Sequence, residues 1–433
     1  MTPAARLQAA AEVLDRIAAG RAPAEEALKA WGRENRYAGS KDRRAIADRV
    51  YRVLRGKARL GWAMGREDGR ALVIGSLALI DGLSLSEIDE LFTGEGYAPS
   101  PLKPNERERL TGEPGQPPAW VSAGLPEFVA ADFRKTFGDR WAAEAEALMA
   151  PRAPIDLRVN TAKGPVLGVK REIEIEGLEP EFAPLSTVCL RLKAEPPPNV
   201  QKLSAFKDGR IEVQDEGSQI CAYLAGAAPG MTVVDYCAGG GGKTLVLGQG
   251  LKGDGRLVAC DVVQKRLDNI RPRLDRADIK AELRLIGEEG QGTEDLEGQA
   301  DLVLVDAPCT GSGTWRRRPE DAWRLEAEEV ERLHALQVAI LDRAAKLVKP
   351  GGRLVYVTCS MLSLENESSA AAFEAAHPEF RPAPIASALP GRPFSPAAHE
   401  HLAALAAGGH KLRLSPHSTG TDGFFIAIYE RTR

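Results

Sequence analysis

The sequence predicts an α/β fold with a parallel sheet, preceded by an all-α region and a small α+β unit. From about residue 215, short apolar strands alternate with helical stretches, a pattern typical of a parallel sheet covered by helices on both faces. The first 92 residues instead show the apolar spacing of helices. A chain of 433 residues is long enough for several domains, since domains contain about 100–200 residues each.

The predicted helical domain covers residues 1–92. Apolar residues between Leu7 and Ile17 follow the i, i+3, i+4, i+7 spacing of one helical face. Further helices are predicted over Arg43–Met64, Arg70–Leu79 and Leu85–Phe92. Residues 33–59 carry ten Lys and Arg against three acids, although the formal net charge of the whole chain is −4. This segregation favours phosphate binding, with a merely solvated face as the alternative.

Two segments connect this region to the predicted parallel sheet. Residues 93–119 have the composition of a linker, with six prolines and four glycines. Residues 120–212 are predicted to form the small α+β subdomain. Its predicted elements are a helix over Arg140–Ala150 and extended runs at Ile155–Val159, Val188–Leu192 and Ile211–Val213.

The predicted parallel-sheet domain covers residues 213–433. Its apolar strands lie at Met231–Tyr236, Arg256–Cys260, Leu302–Val305 and Arg353–Thr358. Helices separate them at Val263–Leu274, which Pro272 is expected to interrupt, and at Ala327–Leu347. Continuous apolar strands joined by helices indicate a sheet that is buried on both faces.

The composition excludes several classes of protein. With 43% hydrophobic and 27% charged residues, the chain is typical of a globular protein. Its most apolar run, Ala71–Ile80, is half as long as the roughly twenty residues that cross a membrane. The first residues lack the apolar core of a signal peptide. Six cysteines without C-x-x-C spacing fit neither a disulfide scaffold nor a zinc site. We therefore expect a cytoplasmic protein with reduced thiols, no metal and no membrane partner.

A glycine-rich loop follows the first strand of this domain, in the sequence DYCAGGGGKT from Asp235 to Thr244. Such a loop lets the backbone approach a ligand, and the helix after it offers free N–H groups. A phosphate loop would need glycine where Cys237 stands, so that motif fails. A nucleotide-binding loop fits better, because the next strand ends in Asp261, an acceptor for ribose hydroxyls. A tight turn that only packs helix on strand is the alternative.

Two further strands deliver a cysteine to their carboxyl ends. Asp306-Ala307-Pro308-Cys309 follows one strand, and Thr358-Cys359-Ser360 ends another. Ligands of open α/β sheets bind at this edge, so the two cysteines can face one pocket. A lone buried cysteine is usually an inert small hydrophobe. For this pair we expect two separate roles, one thiol as a nucleophile and the other as an acid/base.

Three segments, DYCAGGGGKT, DAPCTGSGTWRRRPED and VTCSMLSLENE, resemble motifs of the RNA 5-methylcytosine methyltransferases, the Sun/NSUN family. Residues 157–161, 214–219 and 421–427 support the resemblance, which covers about residues 120–430. Residues 42–55 resemble the NusB-like RNA-binding domain of bacterial ribosomal RNA members. One departure is Gly240, which stands where the family usually has proline.

The resemblance implies a Rossmann-like methyltransferase that uses S-adenosylmethionine to methylate carbon 5 of cytosine in RNA. The implied substrate is 16S ribosomal RNA of the small subunit, with transfer RNA as the alternative, and residues 1–92 and 120–212 would bind the RNA. Cys359 would add to carbon 6, and Cys309 would help release the adduct. Asp306 would contact the base edge, and Lys243 would offer a proton or charge. The implied cofactor-binding residues are Cys237, Ala238, Gly239, Gly240, Gly241, Gly242, Lys243, Asp261, Arg266, Glu288 and Asp306.

Three rival functions remain at this point. A DNA cytosine methyltransferase would use Cys309 as its nucleophile and would not need Cys359. An exocyclic-amine methyltransferase would carry Asn/Asp-Pro-Pro-Tyr/Phe where this chain has Asp306-Ala307-Pro308-Cys309. A non-catalytic RNA-binding or ribosome assembly factor would not need both cysteines. The second motif also contains a cluster of cations, Arg316–Arg318, flanked by Trp315 and Trp323. Cations next to aromatic rings predict a contact with RNA, and a solvated face is the alternative.

Overall fold

The computed structural model describes residues 1–20, 22–112, 115–149, 152–193 and 197–432. They form two compact units, one of Met1–Arg152 with Trp315–Leu325 and the other of Ala153–Thr314 with Glu326–Arg433. The predicted fold class is confirmed, because an all-α region precedes a small antiparallel sheet and a larger sheet with a parallel centre. None of the helices in the described ranges has the length and apolarity to cross a membrane.

The first unit is built from helices. They are α1 (Pro3–Ala19), α2 (Ala24–Glu34), α3 (Ser40–Met64), α4 (Gly69–Leu79), α5 (Leu85–Leu91), α6 (Pro104–Thr111), α7 (Ala119–Ala123), α8 (Glu127–Phe137) and α9 (Trp141–Met149). Side chains cap the N-termini of three of these helices. Thr2, Asp68 and Ser84 each accept a hydrogen bond from a backbone N–H in the first turn of α1, α4 and α5, respectively. The predicted helix at Arg140–Ala150 forms as α9, and Ala150 lies outside the described residues.

Helix α6 forms within residues 93–119, the segment whose composition predicts a linker. Pro104 occupies its first position, where a missing N–H costs nothing, and the Glu106 carboxylate accepts a hydrogen bond from Lys103 N. Arg70 also binds Glu106, with Nε 2.8 Å from Oε1. Leu102 is buried in the helical core. The many prolines and glycines of this segment therefore surround a packed helix.

Residues Trp315–Leu325 pack into the first unit, although their neighbours in sequence belong to the second. Trp315 is fully buried, and the Trp323 indole N–H donates to Leu54 O at 2.8 Å. Arg316 is buried, and its carbonyl accepts from Arg55 Nη2 at 3.0 Å. The expected surface contact with RNA is therefore wrong for Trp315 and Arg316, because packing of the aromatic ring buries both. Arg318 remains exposed.

The second unit begins with a small antiparallel sheet in the order β2-β3-β1-β4. Its strands are β1 (Ile155–Val159), β2 (Glu181–Phe182), β3 (Cys189–Leu192) and β4 (Ile211–Val213), accompanied by helices α10 (Val166–Ile175), α11 (Ser204–Lys207) and α12 (Glu216–Ala225). A buried ion pair joins β3 to β1, with Arg191 Nε 2.7 Å from Asp156 Oδ1. Arg191 also lies 3.4 Å from Glu216 at the start of α12. The sheet is thus tied to the helix that leads into the larger sheet.

The larger sheet has the strand order β10-β12-β9-β8-β5-β6-β7, with β11 paired to β12. Its strands are β5 (Thr232–Asp235), β6 (Arg256–Asp261), β7 (Glu282–Leu285), β8 (Ala300–Asp306), β9 (Val348–Thr358), β10 (Phe380–Pro382), β11 (Lys411–Leu414) and β12 (Phe424–Arg431). Its helices are α13 (Gly242–Leu251), α14 (Gln264–Ala277), α15 (Ala327–Ala345), α16 (Ser369–Ala376), α17 (Ile385–Ala388) and α18 (Pro396–Leu405). Strands β7, β6, β5, β8 and β9 run parallel to one another.

Two features of this sheet bear on the site. Strands β6 and β7 follow on one side of β5, and after β7 the chain crosses to place β8 on its other side. The strand order therefore reverses at β5, where a crevice opens at the carboxyl ends of the strands. Helix α14 continues through Pro272, which the sequence had predicted to interrupt it. Pro272 is exposed, so water can bond the carbonyl group that loses its helical donor.

Candidate active site

The glycine loop between β5 and α13 follows a path that glycine allows. Gly239 and Gly241 have φ angles of 55° and 80°, in the left-handed region. A Cβ atom on Gly241 would lie 2.9 Å from Ile270 Cγ2, so α14 packs directly on the loop. The loop leads into the first turn of α13, whose N–H groups have no partner within the helix. This combination can bind a polar ligand at the end of β5.

Asp261, at the end of β6, organises the same loop. Its carboxylate accepts hydrogen bonds from Gly239 N at 3.0 Å and from Val263 N at 2.9 Å. Arg266 Nη1 lies 3.6 Å from Asp261 Oδ1, and the Arg273 guanidinium donates to Gly240 O. The structure therefore brings Gly239, Gly240, Asp261 and Arg266 together, as a shared cofactor site requires.

Three other predicted cofactor residues, Cys237, Ala238 and Glu288, have different surroundings. Cys237 lies on the loop, where burial raises the pKa of its thiol well above the ordinary value, so it remains protonated. The neighbouring Ala238 N donates to Cys260 O at 2.8 Å. Glu288 lies in an exposed turn beyond β7, where its carbonyl oxygen, rather than its carboxylate, accepts from Arg343 Nη1 at 2.6 Å.

Lys243 and Asp306 form an ion pair inside the crevice. Lys243 Nζ, on the first turn of α13, lies 2.7 Å from Asp306 Oδ2 at the end of β8. The Lys243 side chain is only 7% exposed, and its ammonium lies 5.0 Å from the centre of the Phe424 ring. Burial alone lowers the pKa of Lys243, but the Asp306 carboxylate and nearby thiols outweigh it and hold the pKa above its ordinary value. Lys243 is therefore a fixed cation beside Asp306.

A second carboxylate, that of Asp235, lies beneath the loop. Asp235 is fully buried at the end of β5, and burial raises its pKa to about 7. Thr244 Oγ1 donates to Asp235 Oδ2 at 2.6 Å, while Oδ1 has no hydrogen-bond partner among the described residues. Sequence analysis did not assign Asp235 a role.

The two cysteines predicted to share a pocket do so. Cys309 follows β8 and Cys359 follows β9, and these parallel strands pair with Asp306 opposite Val357. The two Sγ atoms lie 3.4 Å apart. The hydrogen bond with Cys359, then burial, then the charges of Cys359 and Glu365 hold the pKa of Cys309 well above its ordinary value. Cys309 is therefore held as a protonated thiol.

Glu365 is a site residue that sequence analysis did not identify. It is fully buried, on a turn of π-helix at Leu364–Ser368. Its carboxylate accepts from Thr310 N at 2.8 Å, from Thr310 Oγ1 at 2.6 Å and from Ser360 Oγ. Gln337 Nε2 donates to the same carboxylate and to Pro308 O, both at 3.0 Å. Glu365 thus joins the residue after Cys309 to the residue after Cys359.

Close backbone packing completes the connection between the two cysteine loops. Gly313 N donates to Cys359 O at 2.9 Å, and Gly423 N donates to Gly313 O at 2.8 Å. A Cβ atom on Gly313 would lie 2.1 Å from Gly423 O, so only glycine allows this approach. The hydroxyls of Ser312 and Ser360 are 3.0 Å apart. The crevice therefore holds two rigidly placed thiols beside a lysine–aspartate pair, an arrangement suited to covalent catalysis with proton transfer.

Comparison with known proteins gives consistent matches. The sequence profile described as "16S rRNA methyltransferase RsmB/F" matches residues 223–430. The probable ribosomal RNA small subunit methyltransferase B of Bacillus subtilis (strain 168) is 33% identical over 276 residues, 62% of this chain and 58% of that protein. The ribosomal RNA small subunit methyltransferase B of Xylella fastidiosa (strain 9a5c) is 33% identical over 327 residues, 75% and 72% of the two chains. The crystal structure of PH0851 aligns with a TM-score of 0.76 and 27% identity over 100% of this chain and 99% of that one.

Proposed function

The chain belongs to the RsmB/F family of 16S rRNA methyltransferases, and from that premise we propose that it methylates carbon 5 of a cytosine in RNA. The substrate is 16S ribosomal RNA in the cytoplasm. The observation that carries this proposal is the pair of thiols, Cys309 and Cys359, 3.4 Å apart at the carboxyl ends of neighbouring strands. Methylation of a ring carbon by covalent catalysis needs a nucleophile and a separate proton acceptor.

The residues at the end of β5 and β6 fit S-adenosylmethionine, which supplies the methyl group when it is bound. A Cβ atom on Gly239 would meet nothing closer than Cys237 O at 3.9 Å, so the loop backbone is open to a ligand. Asp261 accepts two backbone hydrogen bonds and keeps lone pairs for the ribose hydroxyls. Arg266, in the first turn of α14, lies 3.6 Å from Asp261, and Glu288 follows β7 in an exposed turn.

Addition of Cys359 to the base is the first step of the proposed reaction. The Cys359 thiolate forms a bond to carbon 6, and the electrons of the C5=C6 double bond shift so that carbon 5 becomes nucleophilic. When S-adenosylmethionine is bound, carbon 5 would take its methyl group as the sulfonium S–CH3 bond breaks, and neutral S-adenosylhomocysteine would leave. Asp306 binds the base edge near N3 and N4, and the Lys243 ammonium stabilises the negative charge that develops there.

Removal of the carbon 5 proton is the second step. Cys359 acts first, as the nucleophile, and Cys309 acts afterwards, as the base. Cys359 is the first cause of the high pKa of Cys309. Once the Cys359 sulfur is bonded to carbon 6 it carries no charge, so Cys309 loses its proton to water more easily. The Cys309 thiolate then takes the proton from carbon 5. The electrons of the broken C–H bond re-form C5=C6 and expel Cys359 as a thiolate.

A methylation assay with purified protein tests the proposal. Radiolabelled S-adenosylmethionine is supplied with 16S ribosomal RNA, small subunits or transfer RNA, and bisulfite sequencing of RNA from a deletion strain locates the cytosine. We expect 5-methylcytosine in 16S ribosomal RNA. The variant Cys189→Ala, which removes a buried thiol on β3, serves as the control and should stay active. Methylation of transfer RNA alone would show that transfer RNA, and not 16S ribosomal RNA, is the substrate. RNA binding without any methylation would show that the protein is a non-catalytic assembly factor.

A further inference from the structure

The helical unit carries an exposed aromatic pair that its core does not use. The rings of Tyr37 and Tyr97 stack on each other, with centroids 6.5 Å apart and planes 24° apart. Tyr37 is 67% exposed and Tyr97 83% exposed. Tyr37 lies in the short connection between α2 and α3, and its hydroxyl donates to Asn35 Oδ1 at 3.0 Å. The outer faces of the pair are therefore open to solvent.

Five exposed cations lie within seven residues of Tyr37 and form no ion pair with any described residue. One of them, Arg43, donates to Ala38 O at 2.9 Å. The other four are Arg33, Arg36, Lys41 and Arg44. The acids nearby are already engaged, because Glu34 binds Arg16 at 2.6 Å and Asp42 binds Arg6 at 2.8 Å. Lys41 and Arg44 are three residues apart and so share a face of α3.

The rest of the basic stretch behaves differently. Arg49 and Arg52 both bind Asp81, and Lys57 binds Glu67 at 3.0 Å. Arg43, Arg55 and Arg59 donate to backbone carbonyl groups within the same unit. These six cations hold the fold together, so the charge available to a partner is concentrated around Tyr37.

The placement of Lys41 does not favour the stability of the helix. Lys41 lies in the first turn of α3, where the helix dipole disfavours a cation by about 0.3–1 kcal/mol. An exposed cation at that position, without an ion pair, calls for a reason outside the fold. Attraction of a polyanion is such a reason.

We propose that Tyr37 and Tyr97, with the four cations Arg33, Arg36, Lys41 and Arg44, form a docking surface for single-stranded RNA, called here the Tyr37 surface. A base stacks on the open face of the tyrosine pair, and the cations bind the phosphates on either side. Stacking on an aromatic ring requires an unpaired base, so the surface selects single strands over duplex. The inference rests on the proposed function only in that RNA is the substrate.

Two sets of variants test this surface in the full-length protein, with a fluorescent oligouridylate and an RNA duplex of equal length as probes. Tyr37→Ala/Tyr97→Ala should bind the single strand about tenfold more weakly and lose the preference over duplex. Tyr37→Phe/Tyr97→Phe keeps the rings and should behave like the parent. Arg36→Glu/Lys41→Glu should weaken binding to both probes and flatten its salt dependence. The charge control is Arg332→Glu, at an exposed cation on α15. It should change neither the binding to the two probes nor its salt dependence.

The outcomes separate this surface from the proposed catalytic function. Methylation at saturating RNA should be unchanged in the tyrosine variants, so a rise in KM without a fall in kcat supports the surface. If the alanine variants have the same Tm as the parent and still prefer single-stranded RNA, the surface does not bind RNA. This conclusion does not depend on which RNA the parent methylates. If they instead change only the self-association of the protein, the surface serves a protein contact and the proposal is wrong. A parent that binds RNA through this surface but methylates none refutes the catalytic function alone.

Discussion

The Sγ atoms of Cys309 and Cys359 lie 3.4 Å apart, although 50 residues separate the two cysteines in the chain. Neighbouring parallel strands carry them to the same edge of the sheet, and the surroundings of Cys309 favour its neutral form. Cys309 is held as a thiol by its hydrogen bond to Cys359, by burial and by the charges of Cys359 and Glu365. In such a pair, one thiol can act as the nucleophile while the other stays protonated and acts as a base in a later step.

Glu365 should be needed for the position of the thiols. Glu365→Gln replaces one acceptor oxygen with a donor, so the carboxylate's bonds to Thr310 and Ser360 cannot all survive. A displacement of the cysteine loops by about 1 Å is expected to lower kcat about 100-fold, with RNA binding unchanged. Steady-state methylation kinetics measure the effect.

The matched control for this variant is Glu367→Gln, two residues further along the same turn. Glu367 binds Arg413 at 2.6 Å and is half-exposed, so its loss should change kcat little. Equal losses in the two variants, or an unchanged kcat in Glu365→Gln, would show that Glu365 does not position the thiols.

Asp306 should act through its charge. Asp306→Asn keeps the shape of the side chain but leaves the Lys243 ammonium buried without an anion. Burial then lowers the pKa of Lys243. We expect kcat to fall about 100-fold or more, as it does when an electrostatic stabiliser of a transition state is removed. Asp301→Asn, at the opposite end of β8, is the control and should retain activity. Comparable activity in both variants would remove Asp306 from the mechanism.

Asp235 should make stability depend on pH. In the folded protein its pKa is about 7, against an ordinary value of 3.8. Between about pH 4 and pH 7 the unfolded chain is ionised while the folded chain holds the proton, so ionisation favours unfolding as the pH rises. Asp235→Asn removes this dependence. The difference in free energy of unfolding, variant minus parent, should increase by roughly 2–4 kcal/mol between pH 4 and pH 8.

Urea unfolding at a series of pH values measures this difference. Glu216, with a pKa of about 7 because of burial, contributes the same trend to both proteins and cancels in the comparison. Parallel curves for parent and variant would mean that Asp235 ionises normally in the folded state.

The sequence predicted the parts of the site that local patterns determine. Apolar strands that end in Asp261, Asp306 and Cys359 marked the carboxyl edge of the sheet, and the structure places these residues at that edge. Glycine spacing likewise identified the loop at Gly239–Gly242. The domain that surrounds them is an α/β sheet, as predicted.

Contacts between distant segments were not predictable from those patterns. Glu365 lies in an acidic stretch that is typical of a surface, and only the folded chain surrounds it with donors from Thr310 and Gln337. Trp315 and Arg316 have the composition of an RNA-binding patch, yet they pack in the helical unit. In the same way, the count of cations in residues 33–59 does not tell which of them are paired internally. Burial and pairing depend on the tertiary structure, which a linear pattern does not contain.

The central claim is that Cys359 forms the bond to the base and Cys309 releases it. The most direct test is denaturing gel electrophoresis of each cysteine variant after incubation with substrate RNA and S-adenosylmethionine. Cys309→Ala should accumulate a covalent RNA–protein adduct, because the carbon 5 proton is not removed. Cys359→Ala should form none. Adducts with the roles reversed, or no adduct with either variant of a protein that methylates RNA, would contradict the account.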